Sequence, residues 1–149
     1  MANLKLVKEL RSQTGCGIAD CNKALAECGD NLQKAIDHLR KKGLSSAAKK
    51  SSRTTCEGLI STIVNNNKGS ITEVNAETDF VARNSEFQGF VSALAELALN
   101  AADIGGLKTL DFPGTGRNVA DELTQKIATI GENMSLRRMQ VLEVSNGAV

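Results

Sequence analysis

The chain is poor in aromatic residues and in the residue types that carry most enzyme chemistry. Of its 149 residues none is tryptophan or tyrosine, four are phenylalanine, one is proline and one is histidine. A single histidine, His38, with no convincing nucleophile motif, leaves no hydrolase triad to assemble. No second histidine or carboxylate cluster accompanies it, so His38 reads as a helix-surface residue rather than a metal ligand. There is no G-x-x-x-x-G-K-[ST] phosphate loop and no complete G-x-G-x-x-G. Gly114-Thr115-Gly116-Arg117, just after Pro113, reads as a turn. No apolar run approaches the length of a membrane span, and Lys5, Lys8, Glu9 and Arg11 interrupt the apolar stretch that a signal peptide needs. The expectation is a protein that is not an enzyme, with no cofactor, no metal, no nucleotide of its own and no membrane contact.

The cysteines Cys16, Cys21, Cys28 and Cys56 lack the paired C-x-x-C of common zinc sites. They read as small buried hydrophobes in a reducing compartment, with Cys21 and Cys28 on one helical face.

What is present suffices for a folded protein. Hydrophobic residues make up 41% of the chain, enough for a core, and the charged fraction is ordinary for a soluble globular protein. The length fits one modest domain or two small ones. The formal net charge of +1 is unevenly spread. Residues 1–53 carry 11 Lys and Arg against 5 Asp and Glu, leaving 7 against 12 for residues 54–149. A basic N-terminal unit suits an acidic protein surface or a nucleic acid. The stretch from Lys41-Lys42 through Lys49-Lys50 to Arg53 has no interleaved aromatic residue for base stacking, which favours a solvated linker over a nucleic-acid contact. A basic adaptor, whose first unit binds nucleic acid or a ubiquitin-like fold, is the competing reading. It requires residues 1–53 alone to bind with steep salt dependence.

Periodicity and caps predict three short helices in residues 1–45. The first runs from Leu4 to about Gln13, with Leu6, Val7 and Leu10 as its apolar stripe, and Thr14-Gly15-Cys16-Gly17 breaks it. The second covers about Ile18 to Cys28, with Ile18, Cys21, Ala24, Leu25 and Cys28 on one face. Asp30 caps the third, with Gln33 three residues on as in a capping box, and Gly43 ends it. Residues 46–55 form a basic connector, either a flexible linker or a short solvated helix. Residues 56–149 then read as a second unit: strands at about Glu57 to Val64 and Ser70 to Asn75 around an Asn65–Gly69 turn, and a helix from about Ser85 to Ala102. Loops follow at Gly105-Gly106 and 112–116, then a helix over about Val119 to Ile130 capped by Asn118, and a last strand from Leu136 to Val144. The expected class is α+β, a three-helix module followed by a small antiparallel sheet covered by helices.

The stretch Glu77-Thr78-Asp79-Phe80-Val81-Ala82-Arg83-Asn84 places a phenylalanine where a strand becomes a helix. Two readings stay open. Phe80 and Phe87, at helical spacing, both face the core of one continuous helix; apolar residues so spaced are usually buried, which favours this reading. Alternatively Asn84-Ser85 is a cap, and Phe80 lies on a separate turn before the packed helix, free to meet a partner.

Three segments resemble signatures of the elongation factor Ts family. Leu10-Arg11-x-x-Thr14-Gly15-Cys16-Gly17-x-x-Asp20-Cys21-x-Lys23-Ala24-Leu25 is similar to its N-terminal signature. Glu73-Val74-Asn75-x-Glu77-Thr78-Asp79-Phe80-Val81-Ala82-Arg83-Asn84 is similar to the second, and Ile130-Gly131-Glu132-Asn133-x-x-x-Arg137-Arg138 to a third. Ala47-Ala48-Lys49-Lys50 fits the connector, and Cys16 stands where many relatives carry alanine. The resemblance implies a guanine-nucleotide exchange factor for elongation factor Tu, in the cytoplasm or an organelle matrix. It implies that residues 1–45 form a ubiquitin-associated-like module that docks on the GTPase. It implies that Thr78, Asp79, Phe80 and Val81 form the exchange wedge near the magnesium and phosphate site, with Phe80 as the wedge proper and Asp79 as its polar partner. Arg11, Thr14, Gly15, Ile130 and Gly131 are implied as secondary contacts. Longer members continue with a second, related subdomain and a helical hairpin, whereas this chain stops at Val149. The expectation is therefore either a truncated chain or a short form, and some short forms pair as homodimers so that a second copy stands in for the absent half.

Overall fold

The computed structural model describes residues 3–146; the outermost ends of the two expected units, residues 1–2 and 147–149, lie outside it. Three helices come first: α1 (Leu4–Thr14), α2 (Ile18–Glu27) and α3 (Leu32–Lys50). A hairpin of β1 (Glu57–Asn65) and β2 (Lys68–Ala76) follows, then α4 (Asp79–Ala82), α5 (Ser85–Ala98) and α6 (Ile104–Thr109). The two-residue strands β3 (Asp111–Phe112) and β4 (Arg117–Asn118) pair with each other, and α7 (Val119–Ile130) leads into β5 (Met134–Glu143). The class is α+β: β1, β2 and β5 form an antiparallel sheet in that order, and helices cover one face.

Two apolar cores form. In the first, Val7, Leu10, Cys21, Ala24, Leu25, Ala35 and Leu39 close α1, α2 and α3 on one another. Gly15 ends α1 with φ of 67°, a left-handed conformation that glycine adopts without steric cost. In the second, Phe87, Phe90, Val91, Leu94 and Ala98 of α5 pack on Val74, Ala76, Met134 and Leu136 of the sheet, with Leu107, Val119 and Ile127 filling the side. Phe90 also stacks obliquely on Phe112, centroid to centroid 5.4 Å.

The structure corrects several expectations. The third helix is capped by Asn31, whose Oδ1 accepts from the Lys34 N–H at 2.9 Å. Asp30 is instead a left-handed turn residue with φ of 57°. The same helix does not stop at Gly43 but continues to Lys50, so the first five residues of the expected connector are its last turns. The glycine serves close approach rather than termination. A Cβ at Gly43 would lie 3.3 Å from the Ala128 Cβ of α7, so α3 can press onto α7, and Ala47 beyond it packs on the second core. Ile18 is exposed rather than inward. Gly105 and Gly106 lie in α6, not in a loop. Asp103 Oδ1 accepts from the Gly106 N–H at 2.7 Å, and buried Leu107 anchors the turn. Tertiary burial there outweighs the poor helix propensity of glycine. Cys21 is buried, which pushes its thiol pKa up, whereas Cys56 is exposed and Cys16 and Cys28 are half-buried.

Among the described residues, no helix covers the other sheet face. Strand alternation puts Leu59, Val74 and Leu136 toward α5 and sends Ile60, Val64, Ile71 and Leu142 to the opposite side, where all four are exposed. Among them Glu73 pairs with Arg138 and Arg137. The Arg138 guanidinium holds the Glu73 carboxyl below the usual carboxylate range.

Candidate functional site

The turn 78–84 is a one-turn helix followed by a separately capped one. Thr78 is the N-cap residue of α4, and the helix lasts only from Asp79 to Ala82. Asn84 then starts a new helix, its Oδ1 accepting from the N–H groups of Glu86 at 2.8 Å and Phe87 at 3.2 Å. These bonds satisfy the first donors of α5 and fix a break at residues 83–84. The continuous helix expected to bury both phenylalanines is thereby excluded. Phe87 is fully buried, whereas Phe80 is 79% exposed. Val81, beside it, is only 6% exposed and belongs to the second core. Asp79 Oδ2 forms an ion pair with Arg83 Nη2 at 2.8 Å across the turn. A single turn thus presents one aromatic ring outward, pinned from beneath by its neighbour.

The turn is fastened to the end of α7. Gly131 closes that helix with φ of 91°, and the next residue, Glu132, reaches back to Thr78. Its Oε1 accepts from the Thr78 hydroxyl at 2.8 Å and its Oε2 from the Thr78 N–H at 3.1 Å. Asn133 donates its N–H to Glu77 Oε1 at 2.5 Å and its side-chain amide to the Arg53 carbonyl at 2.8 Å. Arg53 Nη1 stands 3.4 Å from the same Glu77 oxygen. The turn 78–84, the end of α7 and the segment leaving α3 therefore meet in one polar network.

A family model described as "Elongation factor TS" matches residues 77–149, a span that begins at this network. An elongation factor Ts of Paramagnetospirillum magneticum is 58% identical over 145 residues, 97% of this chain and 46% of the relative. One of Magnetococcus marinus is 55% identical over 146 residues, 97% of this chain and 48% of the relative. One of Rickettsia bellii is 51% identical over 143 residues, 96% and 46% respectively. The chain belongs to the elongation factor Ts family. It spans about half the length of the curated relatives it matches.

The remaining residues implied by the elongation factor Ts resemblance lie on α1 and α7. Arg11 and Gly15 are exposed, Ile130 is half-buried and Gly131 exposed. Thr14 is buried: its hydroxyl donates to the Leu10 carbonyl at 2.7 Å, and its own carbonyl accepts from Gln125 Nε2 at 2.5 Å. Thr14 thus joins α1 to α7, and a Cβ on Gly15 would lie 3.9 Å from Thr129 Cγ2 on the same helix. α7 is the common support, gripping Thr14 along its length and Thr78 just past its end. Between α1, α3 and α7 lies a polar cleft of about 690 Å³. Its charges are internally matched: buried Glu122 accepts from Arg117 Nε at 2.8 Å and lies 3.4 Å from Lys126 Nζ, which also meets Glu86 at 2.6 Å.

Sequence reasoning missed Glu132, Asn133 and Glu77 as parts of the site. All three fall inside the second and third signatures, and Glu132 and Asn133 also stand directly after a helix-ending glycine. Nothing local says that their partners lie 54 and 56 residues away.

Proposed function

We propose that the chain acts as a guanine-nucleotide exchange factor for elongation factor Tu, promoting GDP release by inserting the Asp79-Phe80 turn near the magnesium and phosphate site of the GTPase. The observation that carries this reading is a phenylalanine 79% exposed on a turn whose next residue is buried. An isolated ring held out from a rigid base is suited to entering a partner's pocket. Burying it there yields about 1.5–3 kcal/mol. If only the distorted, magnesium-poor GTPase accepts the ring, that energy offsets the distortion and nucleotide affinity falls. Linkage makes the effect reciprocal, so incoming nucleotide expels the factor. The cycle makes and breaks no covalent bond and asks for no acid, base or cofactor of this chain. In this reading Thr78 and Val81 hold the wedge, Asp79 is its polar neighbour, and Ile130 and Gly131 flank it. Residues 1–45, with Arg11, Thr14 and Gly15, form the docking module, and the setting is the cytoplasm or an organelle matrix. The test is release of labelled GDP from elongation factor Tu with and without the chain. Faster release that Phe80→Ala abolishes supports the reading; no acceleration rejects it.

A second inference concerns self-association. The exposed face carries Ile60, Val64, Ile71 and Leu142 around Glu73, whose carboxylate meets the Arg138 and Arg137 guanidiniums. An exposed apolar sheet face fits a copy of itself about a two-fold axis. We infer that two chains pair through this face. Light scattering checks it: a dimer that Ile71→Lys converts to monomer is expected, and a monomeric unmodified chain rejects it.

A further inference from the structure

Thr78 occupies the position whose side chain ordinarily caps a helix, yet its hydroxyl makes no bond to α4. That hydroxyl and the Thr78 N–H are both held by the two oxygens of Glu132, at 2.8 and 3.1 Å. A helix of one turn has no stability of its own, because nucleation fixes several residues for one hydrogen bond. α4 is therefore held from outside, by Val81 sunk in the core and by Glu132 gripping its start. Glu132 sits next to Asn133, which binds the carbonyl of Arg53 and the carboxylate of Glu77. The base of the turn is thus referenced to the segment that leaves α3.

We propose that Glu132 is a positioning residue for the Phe80 wedge. Its carboxylate fixes Thr78, sets the direction in which Phe80 leaves the surface, and keeps the wedge in register with the helices of the first core. The proposal rests on the exchange-factor reading. A wedge already ordered before docking loses little conformational entropy on insertion, so its binding energy goes into distorting the GTPase rather than into ordering the turn. Loosening Thr78 then lowers the maximal rate of nucleotide release more than it weakens docking, because the docking module of residues 1–45 is untouched.

The test uses the full chain with Thr78→Val, Thr78→Ser, Glu132→Gln and the Thr78→Val/Glu132→Gln pair, and reads two quantities. The first is amide hydrogen exchange across residues 78–82 in the free chain, followed by NMR. The second is stimulated GDP release from elongation factor Tu, resolved into its maximal rate and the concentration giving half effect. Thr78→Val keeps the branched shape and removes the hydroxyl; it is expected to speed amide exchange in the turn about tenfold, the loss of one charge-assisted bond. The maximal rate is expected to fall about tenfold with the half-effect concentration changed less than about twofold. Thr78→Ser restores both readings, and the pair falls short of the sum of the two single effects, since both act on the same contact. Unchanged amide exchange in Thr78→Val and Glu132→Gln overturns the proposal. So does loosened exchange with an unaltered maximal rate, and if Phe80→Ala abolishes release in that case, the exchange-factor reading stands without it. A chain that does not accelerate release at all, with Phe80→Ala no different, overturns the reading and the proposal together.

Discussion

Phe80 and Phe87 are the same residue seven positions apart, at a spacing that would align them on one helix, and their surroundings are opposite. Phe87 is fully enclosed and Phe80 stands 79% exposed. Neither hydrophobicity nor periodicity separates them. What separates them is Asn84, whose side chain satisfies the first donors of α5 and so ends one helix axis and begins another. A cap worth about 1 kcal/mol decides the fate of a side chain whose burial is worth more than that. An exposed aromatic ring so near a core is therefore held out by backbone geometry, at positions that composition alone reads as interior.

The contrast can be broken from either end. Phe87→Ala is expected to cost about 3–5 kcal/mol, read as a large fall in Tm, because it empties the centre of the second core. Phe80→Ala is expected to leave stability within about 0.5 kcal/mol while removing stimulated GDP release. The support beneath both is sharpened by Gly43→Val, which drives a branched side chain into the contact with Ala128. A loss of about 1–3 kcal/mol by denaturant titration is expected. Asn84→Ala removes the cap itself and is expected to cost about 1 kcal/mol, with faster amide exchange in the first turn of α5. The smallest effect concerns Glu73. Its carboxyl is held low by Arg138, so the pair contributes only above the unfolded carboxylate range, and that contribution is lost as pH falls through the folded pKa. Glu73→Gln should flatten the acid side of the Tm–pH profile slightly, and added salt should mimic it, because surface pairs are screened.

Much of the fold was legible because its signals are local. Asn118 before α7, Gly131 after it, Gly15 after α1 and the asparagine turn between β1 and β2 each mark their element by their own chemistry. The failures at Gly43 and at Gly105-Gly106 share a cause in tertiary packing. Gly43 looks like a helix end, but its absent Cβ answers Ala128, 85 positions later. Gly105 and Gly106 look like a loop, but Leu107 is held in the core. At the candidate site, the exposed ring could be reached from the cap, whereas Glu132 and Asn133 could not, because hydrogen bonds spanning more than fifty residues leave no mark on local sequence.

The most direct test follows labelled GDP leaving elongation factor Tu as the chain is titrated in, with Phe80→Ala run alongside and both proteins first matched in Tm. The account expects acceleration by the unmodified chain and none by the variant at equal folding. Equal acceleration by both, or by neither, would contradict the claim that the outward ring at position 80 is the working part.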